Sequence, residues 1–264
     1  MTHPLIFLHL PKNGGTTLHS ILNRLYRNEK VFSLTYDKTK SNKEEFINLS
    51  EKVRHSFKIL KGHAPFGMHV YMKETTKYVT FLRKPEKRIA SFYYYVLRKP
   101  GNKLYKKIIE NNLSLIDFVR EIKSPDVNNC QVRWISGIND KEEFMLEKAI
   151  ENIETHFSFV GLTERYDESL IFLKNMYNWS LPYYEEKNKA TDQRKNIDTE
   201  TINVINEFNK YDNMLYNFIE SNFETKLKDI DNFQMKKLQL KLANFAYSNS
   251  YLKSIGSYIK KSIS

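Results

Sequence analysis

Two stretches of this chain combine residues that can hold an anion, and a third carries a side chain that can move a proton. The first is Pro11-Lys12-Asn13-Gly14-Gly15-Thr16-Thr17. Glycines let the backbone curl so that several N–H groups aim at one anion, and a helix starting there adds its partial positive end. Lys12 supplies a full charge, and the Thr16 and Thr17 hydroxyls can donate to phosphate oxygens. The order differs from the nucleoside-triphosphatase loop GxxxxGK[ST], in which Lys follows the glycines and the next hydroxyl binds Mg²⁺. Here Lys12 precedes them, and no acidic metal partner ends a later strand, so a nucleotide held without Mg²⁺ fits better. The alternative is a plain glycine turn with a surface lysine.

The second stretch runs from Thr80 to Tyr95, TFLRKPEKRIASFYYY. Arg83 falls at the end of an apolar run and Ser91 eight residues later, so a turn between them lets both meet one phosphate, Arg83 as a charged fork and Ser91 as a hydroxyl donor. Lys84, Lys87 and Arg88 are expected to face solvent or a partner. The third group is His63, which follows a strand and a glycine; imidazole titrates near neutrality, as a general base must. A lone histidine is also commonly structural, and His69 is a further candidate for the same pocket.

The elements that must position these groups follow from the apolar pattern. Leu5–Leu10 reads as a buried parallel strand ended by Pro11. Thr16 and Thr17 can cap the next helix, with Leu18, Ile21, Leu22 and Leu25 inward. Strands are expected at 31–34, 57–60, 78–82 and 157–160. A helix is expected over 41–52, another from Pro85 through Val96, and several across 104–156, where Ser114 with Asp117 resembles a capping box. Helices follow at 167–177 and 199–222. Strands alternating with helices argue a mostly parallel sheet flanked by helices, an α/β fold.

The chain has 264 residues, 41% hydrophobic and 14% aromatic, enough to bury a core. One cysteine, Cys130, excludes an intrachain disulfide framework and a Cys-based zinc cage. The longest early apolar run is too short for a membrane span or a signal peptide, so a cytoplasmic protein is expected. The 42 Lys+Arg against 31 Asp+Glu give +11 and point to an anionic partner. Six lysines lie between Phe233 and Ser264, with no Asp or Glu. There Met235, Leu238, Leu242, Phe245, Leu252 and Ile259 follow a near-heptad stripe broken by Asn249 and Gly256. That stretch reads as a helix packing on the domain or as a surface helix meeting anionic lipid or glycan.

The two anion stretches together resemble the nucleotide-binding elements of sulfotransferases that use 3′-phosphoadenosine 5′-phosphosulfate (PAPS), in the carbohydrate branch containing heparan sulfate 2-O-sulfotransferase. Residues 7–18, FLHLPKNGGTTL, resemble that family's 5′-phosphosulfate loop, and 79–94, VTFLRKPEKRIASFYY, its 3′-phosphate element, with Lys84 where most members carry Asp. Weaker likenesses follow in order: 61–67 (KGHAPFG), the segment of the catalytic histidine; 128–137 (NNCQVRWISG), a helix of the branch; 159–170 (FVGLTERYDESL), a strand–helix junction; and 188–195 (NKATDQRK), a basic loop over the nucleotide. The coverage is about residues 5 to 222.

The resemblance implies a P-loop-like sulfotransferase fold over residues 1–225, with 226–264 as a basic helical extension. It implies PAPS as co-substrate, PAP as product and no metal. Lys12, Asn13, Gly14, Gly15, Thr16 and Thr17 would hold the 5′ end, Arg83 and Ser91 the 3′-phosphate, and Thr191, Arg194 and Lys195 would close over it. Lys12 and His63 would be catalytic, with His69, Tyr94, Arg98 and Arg133 as acceptor candidates. The expected acceptor is a carbohydrate hydroxyl. The alternatives are a protein tyrosine or small alcohol with the same donor, or a non-catalytic nucleotide- or nucleic-acid-binding module. Nucleic acid is not the expected partner, and peripheral contact with an anionic membrane through the extension is.

Overall fold

The computed structural model describes residues 3–35, 42–139, 142–185, 196–228 and 230–249. Leu5–Leu8 forms β1, buried at every position, as a strand covered on both faces must be. It lies at the centre of a five-stranded, all-parallel sheet in which β2 is Val31–Leu34, β3 Ile59–Gly62, β4 Lys77–Leu82 and β5 Phe157–Leu162, in the order β2-β3-β1-β4-β5. The chain fills one side of β1 and then crosses to the other. Ligands of open α/β sheets bind at such a reversal, outside the carboxyl ends of the strands. Here those ends belong to β1, β3 and β4.

The helices are α1 (Gly15–Leu25), α2 (Lys43–Ile47), α3 (Glu51–Arg54), α4 (Pro85–Leu97), α5 (Tyr105–Glu110), α6 (Leu115–Glu121), α7 (Cys130–Ser136), α8 (Glu142–His156), α9 (Tyr166–Tyr177), α10 (Thr199–Phe208), α11 (Lys210–Lys228) and α12 (Phe233–Ser248). One core contains the sheet and extends through Leu215, Leu227, Ile230 and Leu240. A second, helical core joins Ile89, Phe92 and Val96 of α4 to Ile108, Phe118 and Val119, with Ile205 of α10.

Several local expectations need correction. The helix expected over 41–52 is two short ones, because Ser50 is extended and Arg54 donates to the open carbonyls of Ile47 and Leu49 at the break. The strand expected at 57–60 lies two residues later, where β3 pairs in register with β1 (Leu8 opposite Gly62). Strand β5 continues through Gly161, whose missing Cβ makes room for the Phe81 ring. Neither Thr16 nor Thr17 caps α1: Gly14 is its N-cap, and both threonines lie inside the first turn. The capping box is present as expected, Ser114 and Asp117 each accepting the other's backbone N–H.

Arg88 is not at the surface. It is 1% exposed, and its Nη2 donates to Asp126 O (2.7 Å). The buried carboxylate of Asp212 lies in the same region and caps α7, accepting the N–H groups of Gln131 (3.1 Å) and Val132 (2.8 Å). In return Asn129 Oδ1 accepts the N–H groups of Tyr211 and Asp212 at the start of α11. These exchanged caps fix α7, and therefore Gln131, over the sheet edge. Among the described residues no helix is long and apolar enough to cross a membrane.

Candidate active site

The loop after β1 folds back on itself. Lys12 (φ 70°) and Gly14 (φ 76°) both take left-handed backbone, which costs a side-chain-bearing residue about 1–2 kcal/mol. The Lys12 strain is held by tertiary bonds: Arg83 Nη1 donates to Lys12 O (3.0 Å). The buried Asn13 Nδ2 donates to Phe81 O and to Gln131 Oε1, both at 2.7 Å. From the next layer, Thr163 Oγ1 donates to Asn13 O and Tyr166 Oη to Gly14 O, both at 3.2 Å. Gly15 is obligatory, because a Cβ there would lie 1.9 Å from His9 Cδ2.

Helix α1 has no side-chain cap; the Thr17 N–H turns back to Gly14 O (3.1 Å), and the N–H groups of Gly15 and Thr16 lie at the helix start, where the helix itself offers them no acceptor. An uncapped helix start behind a tightly held curl of backbone, with a lysine at its rim, fits a phosphate group.

Arg83 is joined to this loop through Gln131. The Arg83 N–H donates to Gln131 Oε1 and Gln131 Nε2 donates back to Arg83 O, each at 2.9 Å. One amide thus holds the ends of β1 and β4 together. Helix α4 then passes over the loop: the Lys12 ammonium sits 4.1 Å from the centroid of the Tyr95 ring. Ser91 lies one turn before Tyr95, hence on the same face, and is half-buried. The structure therefore brings Lys12, Gly14, Gly15 and Arg83 together, with Ser91 on the helix face above them. Thr16 is exposed and Thr17 half-buried at the loop's helical end.

His63 arrives from β3. Its Nδ1 lies 2.8 Å from His9 O, and a carbonyl can only accept, so Nδ1 carries the proton and the Nε2 lone pair is available. Its ring stacks on His9 at 4.0 Å and meets Trp134 edge-on at 6.1 Å. Burial pushes the His63 pKa below 6.5; the bond to His9 O opposes this, and the Lys12 charge adds to it. His9 is more strongly affected, pushed down to about 2 by burial and by the neighbouring His63, His19 and Lys12. His19, in contact with His9 at 5.0 Å, is lowered to about 4 by burial, with Lys61 and His63 contributing. Beneath it Lys61, 1% exposed, donates to Asn23 Oδ1 and to His19 O (3.4 Å), and burial lowers it to about 8.

Sequence reasoning assigned no chemistry to His9 or His19 and named neither Gln131 nor Tyr166 individually. Gln131 and Tyr166 do fall inside segments whose family likeness was visible. The histidine contact had no local signal, since it exists only through the β1–β3 register.

Other candidates lie apart from this cluster. His69 does not join it: its ring packs on Phe66 (4.7 Å) and His156 (4.3 Å), and its Nδ1 bonds the Tyr78 hydroxyl (3.1 Å). Arg133 is neither solvated nor aimed at the loop; it is 7% exposed, with Nη2 on Glu142 (3.1 Å) and Nη1 on Asn139 O. Of the tyrosine triplet it is Tyr95 that touches Lys12, while Tyr94 packs edge-on against Tyr93 at 5.2 Å. Arg98 is exposed at the end of α4. Thr191, Arg194 and Lys195 lie outside the described residues.

Among curated proteins, none matches the chain. Among solved structures it is similar to a crystal structure of a sulfotransferase from Alicyclobacillus acidocaldarius, at 11% sequence identity and a TM-score of 0.45, over 85% of this chain and 100% of that one. A family model described as the sulfotransferase family matches residues 1–219, which takes in the whole sheet, the loops at its carboxyl edge and the helices that hold them. The chain therefore belongs to the sulfotransferase family and is a PAPS-dependent sulfotransferase.

Proposed function

We propose that the chain transfers a sulfuryl group from PAPS to a hydroxyl of a carbohydrate, in the manner of the heparan sulfate 2-O-sulfotransferase branch, with His63 as general base. The observation that carries this reading is the placing of His63 Nε2, kept unprotonated by the Nδ1–H bond to His9 O, on a buried ring close enough to Lys12 to feel its charge.

In this reading the 5′-phosphosulfate lies on the first turn of α1, against the N–H groups of Gly14, Gly15 and Thr16 and the hydroxyls of Thr16 and Thr17, with Asn13 holding the loop's shape from behind. His63 Nε2 takes the proton of the acceptor hydroxyl as that oxygen attacks sulfur in line. The new O–S bond forms while the bond from sulfur to the 5′-phosphate oxygen breaks. Negative charge grows on that leaving oxygen, and the Lys12 ammonium, swung from its resting place on Tyr95, stabilises it there. Arg83 and Ser91 take the 3′-phosphate, and Thr191, Arg194 and Lys195 cover the nucleotide. No step assigned to these residues calls for a metal. Tyr94 lies on α4, the helix that roofs the loop, and Arg98 directly after its last residue; both remain the acceptor-side candidates.

Arg83 sets the donor apart from other adenine nucleotides, so its replacement is the direct test. Titration calorimetry with PAP and 5′-AMP should show wild type preferring PAP and Arg83→Ala losing that preference. A charge-assisted hydrogen bond of about 1.5–3 kcal/mol corresponds to roughly 10- to 150-fold in affinity. Equal affinity of wild type for the two nucleotides would defeat the assignment. Sulfation by labelled PAPS across oligosaccharides, tyrosine peptides and small alcohols then identifies the acceptor; transfer only to a peptide or alcohol would replace the carbohydrate reading.

A further inference from the structure

Helix α12 turns one face to the domain and another away from it. On the inner side Leu240 is fully buried, Lys237 donates to Glu168 (2.6 Å), Lys236 to Asn175 (3.1 Å), and Asn244 Oδ1 accepts the Tyr184 N–H (2.8 Å). Tyr247 packs on Tyr183 at 4.9 Å. These contacts fasten the helix to α9 and to the segment after it. On the outer side Met235, Leu238, Leu242 and Phe245 are 60, 57, 61 and 71% exposed. At 3.6 residues per turn they share an arc of about 80°, roughly opposite Leu240.

Scattered exposed apolar residues need no account, but four aligned on one helix face form a surface that water does not favour. The stripe lies in a chain segment with a single sign of charge. From Phe233 to Ser264 there are six lysines and no Asp or Glu, and Lys241 flanks the stripe.

We propose that α12 is an in-plane anchor for an anionic phospholipid bilayer. Met235, Leu238, Leu242 and Phe245 enter the boundary between headgroups and acyl chains, and Lys241, which flanks the stripe, is drawn to a headgroup phosphate. The spacing of the stripe would also suit a second copy of this helix. Charge decides between them: Lys241 flanks the stripe and α12 itself carries no Asp or Glu, so pairing two copies along the stripe brings like charges together. Helix α12 thus forms a membrane-attachment element on the domain's surface. Its placement also bears on the site: α12 is tied to α9, whose first residue, Tyr166, donates to Gly14 O in the phosphate loop.

The test uses the full chain and sucrose-loaded vesicles of phosphatidylcholine alone or mixed with phosphatidylglycerol. Wild type should sediment with the anionic vesicles about tenfold more strongly than with the neutral ones. The double variant Leu242→Ser, Phe245→Ser keeps the net charge, and both side chains are already in solvent, so its melting temperature should not fall. It should lose about tenfold in anionic-vesicle binding. Equal sedimentation of variant and wild type would overturn the proposal, because binding would then rest on basic surface alone. A concentration-dependent dimer in sedimentation velocity, abolished by the same substitutions, would also overturn it by assigning the stripe to a second copy.

Discussion

The ring of His63 stacks on the ring of His9 at 4.0 Å, and the same His9 accepts the His63 Nδ1–H through its carbonyl oxygen at 2.8 Å. One residue thus sets both the orientation and the tautomer of the other. The strand register makes this possible: β1 and β3 run parallel with Leu8 opposite Gly62, so the residues just beyond both strands emerge side by side. Gly15 completes the arrangement by leaving space for the His9 ring.

If His63 is the base, His63→Ala should lower kcat by about 10²- to 10⁴-fold while PAP binding, measured by calorimetry, stays near the wild-type value. The pH profile of kcat/KM adds a second check. Burial and the Lys12 charge lower the His63 pKa, so the acidic limb should lie below 6.5. An acidic limb unchanged in the residual activity of His63→Ala would remove the histidine from this role.

The histidine cluster should make the fold acid-sensitive. In the unfolded chain His9 takes up a proton near pH 6.5, whereas in the fold it stays neutral down to about 2. Between those values the unfolded state binds more protons, so stability is full above pH 6.5 and falls as the pH falls. The slope for this one buried residue is up to about 1.4 kcal/mol per pH unit. His19, lowered to about 4, acts in the same direction. His9→Phe keeps a ring in the stack and removes its titration, so urea unfolding between about pH 7 and pH 5 should show a flatter dependence than wild type. An unchanged slope would mean that other groups govern acid unfolding.

Gly15→Ala should damage the site from within. The new Cβ would lie 1.9 Å from His9 Cδ2 and 2.0 Å from His9 Nε2, so the ring must leave its place and the His63 stack with it. We expect about 1–3 kcal/mol of lost stability by thermal melting, as for other overpacked sites. Turnover should fall by more than PAP affinity, because the N–H cradle survives better than the His63 orientation. Equal losses in both would place the His9 ring outside the catalytic arrangement.

The parts of this site that could be read from the sequence are those whose chemistry is local. A strand, a proline, a glycine pair and a helix lie within residues 5 to 25, and Arg83 follows its strand directly. What escaped depends on tertiary register. His9 and His63 are 54 residues apart, and Asn13 and Gln131 are 118 apart. Nothing in the local pattern of either segment announces the contact. Arg88 shows the opposite failure: a basic run suggests solvent, yet its helix turns that one side chain inward towards Asp126 and Asp212. In α12 the apolar stripe was legible but its direction was not. Leu240, off the stripe, is the residue that packs inward.

Gln131 gives the last test, because it links the loop after β1 to Arg83 without being expected to touch the nucleotide. Its side chain accepts from Asn13 and from the Arg83 N–H and donates to Arg83 O. Gln131→Leu keeps the volume and removes all three bonds, leaving buried polar groups of Asn13 and Arg83 without these partners at about 1–3 kcal/mol each. If its role is to hold the loop and Arg83 at a fixed separation, the variant should melt earlier. It should also lose PAP affinity by more than 5′-AMP affinity, since in the proposed reading only PAP spans the loop and Arg83. A purely structural role predicts a lower melting temperature with the two affinities reduced in equal proportion.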